Sequence, residues 1–493
     1  MSVLFFLSSG LFLGWSHGAN NAGNVFGTAI GSKMVKFRTA AVIAGIFMIL
    51  GSAISGAGAS QTLGRLGSVN EIAGAFMVAL AAAVSLLMMT RFNIPVSTSQ
   101  TIVGSIIGWN FFSGSLTDYE SLMKIVSSWL VAPLASAVLA VALYIFFRFL
   151  LTRFKIHLLQ LDMYTRIGLI AVGAFGSYSL GANNIANVMG VFVPVAPFRP
   201  IDIIAGILTS RDQLFILGGM AMAAGVLTYS YKVMKTVGQS IIPLTPITAL
   251  VAVLSSSTVL FLFSSQDLEL LLASHGLPSI PLVPVSSSQA VVGAIIGIGL
   301  FQGGREMNFK LLGKIASGWV TAPVMACIIS FVSLFIIQNV FSQPVYRDVK
   351  YSITSAAAQK LHDEGITFST MDNLVELEFR NAAEFKYALK RYAPELESGT
   401  IMRVIRLSQI HPFTVNDSIV SFEIGQNVFS EGQVMALHTL NGKKYRHVWQ
   451  FADDLASAGD EWKTKPDIPA NRPHNNYIRI RIDYLAGKFS GMR

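Results

Sequence analysis

The chain predicts a predominantly α-helical, polytopic membrane protein of two related halves with broken or re-entrant helices, followed by a C-terminal soluble α+β domain. Three observations carry this. Of the 493 residues, 52% are hydrophobic and 13% charged, with a mean hydropathy of +0.56, more apolar than a water-soluble globule of this size. Three motifs recur in one order: GANNAGNVFG at 18–27 with GANNIANVMG at 181–190, PVSTSQTIVGSIIG at 95–108 with PVSSSQAVVGAIIG at 284–297, and KIVSSWLVAP at 124–133 with KIASGWVTAP at 314–323. Charge also changes abruptly: residues 1–341 hold 17 Lys and Arg against nine Asp and Glu, whereas residues 342–493 hold 19 and 18.

A bilayer core takes about 20 apolar residues per helix, which selects 39–58, 72–90, 128–147, 188–208, 213–231, 246–264 and 316–341 as spans. Shorter or interrupted stretches cover 3–30, 95–110, 167–187 and 284–300. The start, MSVLFFLSSGLFLGW, lacks a basic leader and reads as a retained, interrupted membrane segment. Broken helices survive in a membrane only where protein or a watery cavity surrounds the break, and such segments at matching positions in two halves point to a transporter's binding site. The expected organisation is residues 1–150 as the first membrane repeat, 151–341 as the second and 342–493 as the soluble domain. In that last part SAAAQKLHDEG and NAAEFKYALKRYAPEL read as helices, LVELEF, VSFEI and YIRIRIDY as strands, and Asn441-Gly442 as a hairpin turn. It shows no metal cluster, phosphate loop or nucleophile motif.

The nine acids of the first region fall between or at the edges of apolar runs, so no carboxylate is expected deep in a span. The net charge of +9 comes almost wholly from short basic connections such as Lys33, Lys36, Arg38, Arg148, Arg153, Lys155 and Arg166, which suits a positive-inside membrane protein and argues against a nucleic-acid partner. With one cysteine, Cys327, no intrachain disulfide can form.

Ser97 with Gln100, and Ser286 with Gln289, have capping-box spacing just after a proline and before an apolar run. Each marks a helix start, whose free N–H groups and partial positive charge attract anions. Ser97, Thr98, Ser99, Ser286, Ser287 and Ser288 add rotatable hydroxyl donors, a neutral ring matched to a tetrahedral oxyanion. One such motif alone would mean a capped buried helix; its duplication shifts the balance toward a site. In the GANN segments Gly18, Ala19, Gly23, Gly181 and Ala182 permit close packing or unwinding, while Asn20, Asn21, Asn183 and Asn184 can offer carbonyl oxygens to a cation. These segments are expected to be functional breaks. Asn24 and Asn187 fit equally as ligands or as glue between helices. His17, the one histidine in or beside a span, pairs by motif with Leu180; a structural hydrogen bond is its expected role, a proton shuttle the alternative.

At these residues the chain resembles the inorganic phosphate transporter family of secondary symporters. The resemblance covers residues 1 to about 341 and rests on the duplicated GAN-type and PVS-type motifs. It implies inverted repeats, phosphate surrounded by Ser97, Thr98, Ser99, Gln100, Ser286, Ser287, Ser288 and Gln289, and a coupling cation at Asn20, Asn21, Asn183 and Asn184. Family members commonly carry Asp where Asn21 and Asn184 stand, and many carry His where Gln100 and Gln289 stand. Na⁺ would then rest on neutral oxygens or on the anion itself. The implied function is symport of inorganic phosphate coupled to Na⁺ or H⁺, with no other cofactor, in the cell (inner) membrane with the C-terminal domain cytoplasmic. The partners are phosphate and lipid, and a homo-oligomer stays open. Sulfate is the alternative substrate. A substrate carrying its own proton is easier to reconcile with missing carboxylates, which favours phosphate. The rival classes are an intramembrane serine enzyme using His17 as base and a passive anion channel.

Overall fold

The computed structural model describes residues 2–67, 69–91, 96–154, 157–196, 198, 201–203, 206–237, 245–278, 280–304, 309–368, 370–424, 429–466, 468 and 471–490. Pro95 and Lys155, used above, lie outside them. Two compact units result: Met1–Phe112, Thr117–Leu272 and Pro278–Tyr346 form one, and Ser113–Leu116, Ala273–Leu277 and Arg347–Arg493 the other.

The first unit is helical: α1 (Ser2–Gly31), α2 (Phe37–Ser55), α3 (Ala57–Leu66), α4 (Ile72–Arg91), α5 (Thr98–Ser113), α6 (Tyr119–Phe154) and α7 (Leu158–Met189). A short antiparallel pair, β1 (Ile201–Ile203) and β2 (Gly206–Leu208), precedes α8 (Ser210–Val237), α9 (Pro246–Ser264), α10 (Gln266–Ser274), α11 (Ser287–Phe301) and α12 (Phe309–Val340). Among the described residues six helices are long and apolar enough to cross a bilayer, within α2, α4, α6, α8, α9 and α12. On α6 and α12 the exposed side chains include Leu130, Leu134, Val138, Phe149, Val320, Val324, Ile328 and Phe335, a surface that lipid accommodates and water does not. α5 has 16 residues and α11 has 15. At 1.5 Å per residue each reaches about 24 Å, short of the ~30 Å core; both are packed inside the unit rather than against lipid.

Close helix approaches are reciprocal between the halves. A Cβ on Gly18 of α1 would run into the Met222 carbonyl of α8, and one on Gly181 of α7 into the Met48 carbonyl of α2. Gly225 meets Trp15 as Gly51 meets Tyr178, and Gly104 meets Pro323 as Gly293 meets Pro133. Each contact recurs with the halves exchanged, the pattern that a two-fold relation generates. Glycine at these points lets backbones touch, which in lipid supplies packing that the hydrophobic effect does not.

Two sequence expectations fail here. The GANN segments are not breaks: α1 and α7 run unbroken through residues 18–27 and 181–189. Asn20 and Asn184 turn their amides back onto the carbonyls of Ser16 and Leu180 in their own helices, both at 3.0 Å, so the ladder stays intact while the side chains are anchored. Nor is 188–208 a span. α7 ends at Met189, a 3₁₀ turn covers Gly190–Val195, and the β pair follows; prolines at 194, 197 and 200 deny the stretch a continuous N–H ladder.

The second unit contains α13 (Ser355–Asp363), α14 (Ala382–Tyr392), α15 (Ser398–Leu407), α16 (Asp417–Ile424), α17 (Glu431–Thr439), α18 (Val448–Ala458) and α19 (Arg472–Phe489). Two-residue ladders join β3 (Lys350–Tyr351) to β4 (Gln409–Ile410) and β5 (Phe413–Thr414) to β6 (Lys444–Tyr445). The two expected helices form as α13 and α14, but the three expected strands do not. LVELEF contributes only isolated bridges at Val375 and Phe379, VSFEI belongs to α16, and YIRIRIDY lies in α19. In α19 the buried Ile478, Ile482, Leu485, Ala486 and Phe489 recur at helical spacing; within eight residues the isoleucines alternate equally well, and only the downstream residues decide. Asn441-Gly442, with Gly442 at φ +78°, turns the chain from α17 into β6 rather than joining two strands.

Candidate functional site

Four elements of the first unit meet at a buried polar centre: the starts of α5 and α11 and the asparagine-bearing parts of α1 and α7. Ser286 caps α11, its Oγ accepting from the Gln289 amide at 3.2 Å. At α5 the amides of Gln100 and Thr101 both reach the Ser97 carbonyl, at 3.2 Å. The first N–H groups of each helix have no partner within the helix, and both starts are buried together: Ser97, Thr98, Ser99, Ser286 and Ser287 expose 4% or less.

The two starts touch. Ser99 Oγ donates to the Val285 carbonyl at 3.1 Å, joining the first PVS segment to the second. Val285 is also clasped by Asn183, whose Nδ2 donates to its carbonyl at 2.7 Å while its N–H donates to Asn183 Oδ1 at 2.9 Å. Asn187 Nδ2 donates to Ser99 Oγ at 2.8 Å and to Asn184 Oδ1 at 3.1 Å. A second network forms around Asn21. Asn24 Nδ2 donates to Asn21 Oδ1 at 3.1 Å, and Ser288 Oγ reaches the same oxygen at 3.4 Å. Asn21 Nδ2 lies 2.8 Å from His17 Nδ1, which lies 2.9 Å from Thr98 Oγ1.

The structure thus brings Asn21, Thr98, Ser99, Asn183, Asn184 and Ser288 into linked networks. Asn20 stands apart, half-buried and bonded to its own helix. The two networks are unequal: Asn183, Asn184 and Asn187 of the first are sealed, whereas Asn24 and Ser288 of the second are half-buried. Gln100 and Gln289 are buried, each with an Oε1 that has no hydrogen-bond partner; Asn187 Oδ1 is a third such acceptor. Because Gln289 Oε1 is free, the capping box is only half made. Sequence reasoning missed Val285, which acts through its backbone; the only trace was its place between the duplicated Pro and Ser. Asn24 and Asn187 prove to be tied into the networks, and His17 bonds a hydroxyl and an amide of the site rather than a backbone carbonyl.

Electrostatically the centre is neutral. Among the described residues no group of three or more His, Cys, Asp or Glu is placed to hold a metal ion. The oxygens left open at the centre are the neutral, partnerless carbonyls of Gln100, Gln289 and Asn187, free to accept a hydrogen bond.

Fold and centre together define a polytopic helical membrane protein whose two halves each supply one helix start, with Asn21 and Asn24 from the first and Asn183, Asn184 and Asn187 from the second, to a shared buried polar centre. The model of the phosphate transporter family matches residues 17–270 and 280–435, and the chain belongs to that family. Relatives named "putative phosphate permease" include proteins of Pyrococcus furiosus, 25% identical over 66% of this chain and 94% of the relative, and of Methanocaldococcus jannaschii, 27% identical over 64% and 91%. The fold is shared with the solved structure "The sodium-dependent phosphate transporter", with a TM-score of 0.54 at 22% identity, covering 69% of this chain and 99% of that one.

Proposed function

We propose that the protein is a secondary symporter of inorganic phosphate, with inverted repeats whose α5 and α11 starts hold the anion between Ser97–Gln100 and Ser286–Gln289. The carrying observation is the Ser99–Val285 bond, which brings the two duplicated segments into contact. Helix starts and hydroxyls supply donors, while the partnerless oxygens of Gln100 and Gln289 supply acceptors for a P–O–H group. Sulfate is fully deprotonated near neutral pH and has nothing to give those acceptors. A site built to bond a hydroxyl discriminates strongly against an analogue lacking it. Asn21, Asn183 and Asn184 belong to the same centre and are the proposed cation side, which Asn20, turned onto the Ser16 carbonyl of its own helix, does not share.

An anion entering against a negative interior costs about 2.3 kcal/mol per charge per 100 mV, so uptake of a dianion needs accompanying positive charge from Na⁺ or H⁺. A serine-enzyme reading is disfavoured, because His17 bonds Thr98 and Asn21 rather than Ser97 or Ser286. The basic ends Lys33 to Arg38, Arg148 to Lys155 and Arg305 to Lys314 support a cytoplasmic side, at the inner membrane, for those connections. α12 starts at the last of these and crosses once, so the second unit is proposed to emerge on the opposite face. That differs from the cytoplasmic placement expected earlier.

The test is uptake of labelled phosphate by proteoliposomes under separately imposed Na⁺ and H⁺ gradients, with sulfate as competitor. Accumulation against a gradient that sulfate does not compete away, lost in the double variant Ser97→Ala, Ser99→Ala, is expected. Flux that ignores both gradients would mean a channel, and uptake surviving the double change would dismiss the site.

A further inference from the structure

The lipid-facing side of α6 bears a notch whose cause is the unequal reach of two neighbouring helices. α6 and α11 run side by side, Gly293 against Pro133 and Gly297 against Ala137, and the end of α11 lies level with Tyr144, whose ring meets that of Phe301 edge-on at 5.9 Å. There α11 stops. Gly303 and Gly304, at φ +102° and +71°, take a backbone that glycine alone adopts freely, whereas α6 continues to Phe154, about 15 Å further. The difference leaves a cavity of about 350 Å³ lined by Ile145, Arg148, Phe149, Thr152 and Phe301. The four α6 residues, spaced i, i+3, i+4 and i+7, share one helix face.

Arg148 is the charged side chain of that lining, and among the described residues no carboxylate pairs with it. The acid of α6, Glu120, sits at the opposite end of the helix, bonded to Lys124 at 2.6 Å, and α11 has no charged residue. Arg148 follows directly on the apolar run 128–147, so it stands where hydrocarbon gives way to headgroups, with Ile145 about a turn deeper. Thr152 spends its hydroxyl hydrogen on the carbonyls of Arg148 and Phe149, at 3.0 and 2.9 Å, which leaves the guanidinium as the donor. The shared fold does not require this cation. With KIASGWVTAP at 314 set against KIVSSWLVAP at 124, the α12 counterparts of Ile145, Arg148 and Phe149 are Phe335, Gln338 and Asn339.

We infer that this notch seats an acidic phospholipid of the cytoplasmic leaflet, with its phosphodiester on Arg148 and an acyl chain along Ile145, Phe149 and Phe301. The guanidinium fork matches two phosphate oxygens at once. A cation set beside apolar walls selects this occupant: a neutral lipid would leave the guanidinium without a counter-ion, and free phosphate would leave the walls uncovered. In the proposed topology the basic connection that begins at Arg148 faces the cytoplasm, where acidic lipids concentrate. Phe301 ends the helix that begins at Ser287, so a lipid in the notch rests on the far end of a helix of the polar centre. The lipid site stands whatever that centre carries.

The test uses the full chain in a neutral detergent, titrated with palmitoyl-oleoyl phosphatidylglycerol or the matching phosphatidylcholine, with bound lipid counted by native mass spectrometry. Wild type is expected to hold phosphatidylglycerol the more tightly. Arg148→Gln, which copies the α12 counterpart, should lose about fivefold of that affinity, the worth of one basic side chain at an acidic surface, and bind phosphatidylcholine as before. Arg153→Gln removes a cation from the same connection but off the lining face, and should stay within about twofold of wild type. Ile145→Trp fills the notch from an exposed position while leaving Arg148 in place. It should weaken phosphatidylglycerol several-fold at an unchanged melting temperature, which tests the site even if Arg148→Gln does not fold. Equal affinity of wild type for the two lipids, equal losses in Arg148→Gln and Arg153→Gln, or full binding in Ile145→Trp overturns the site. Displacement of phosphatidylglycerol by inorganic phosphate would make it a plain anion site and overturn the lipid assignment.

Discussion

Asn183→Ala is the perturbation whose cost can be worked most directly from the structure. The side chain makes two bonds to Val285, 2.7 Å to its carbonyl and 2.9 Å to its N–H. Removal affects these unequally. The carbonyl keeps the Ser99 hydroxyl at 3.1 Å and loses about 0.5–1.5 kcal/mol, whereas the N–H is orphaned in a dry interior at about 1–3 kcal/mol. Together that is about 1.5–4.5 kcal/mol, drawn from the conformation that holds the α11 start against α5. If that conformation is the one that binds, apparent phosphate affinity falls with its population, by up to about 10- to 2,000-fold. The assay is equilibrium binding of labelled phosphate to purified protein without Na⁺, with Asn20→Ala as the matched control. Asn20 bonds only the Ser16 carbonyl of its own helix, so its loss should cost within about 1 kcal/mol, or less than about sixfold. Equal effects of the two substitutions, or an Asn183→Ala affinity within twofold of wild type, would refute the claim that the Val285 clasp organises the site.

Ser286→Ala removes the α11 cap and should cost about 1 kcal/mol, seen as a lower melting temperature and a several-fold weaker phosphate affinity; unchanged values for both would show that the cap is dispensable. Gly181→Ala pushes a methyl against the Met48 carbonyl and should destabilise the first unit by about 1–3 kcal/mol, as should Gly18→Ala at the reciprocal contact with Met222, so a melting curve unaffected by either would deny the close packing. In the second unit, burial holds the His447 and His411 imidazoles below their ordinary value. The unfolded chain then takes up protons first on acidification, and stability present above about pH 6.5 is lost as pH falls through it. Hydrogen exchange of that unit in the full chain at about pH 7 and pH 5 should show the loss, reduced in His447→Gln; an identical loss in the variant would remove His447 from the account.

The duplicated motifs carried most of the site in the sequence, because a buried helix start needs a capping residue and hydroxyl-rich neighbours whatever surrounds it. Ser286 with Gln289 and Ser97 with Gln100 were legible for that reason. Val285 was not, since a backbone clasp leaves no mark on side-chain identity. The GANN segments misled because asparagine and glycine weaken an isolated helix, yet here the amides of Asn20 and Asn184 fold onto their own turns and the glycines serve packing. YIRIRIDY misled because alternation and helical spacing coincide over so short a window. The reciprocity of Gly18 with Met222 and Gly181 with Met48 was out of reach, because Met222 and Met48 lie in segments whose likeness is structural rather than a matter of motif.

The most direct test of the central claim is a structure of the protein in a lipid environment with phosphate, compared with one prepared without it. Density for a tetrahedral anion within hydrogen-bonding distance of Ser97–Ser99 and of Ser286–Ser288, present only with phosphate, is the expected result. An anion bound to one of these helix starts alone, or elsewhere in the first unit with the two starts separated, would contradict it.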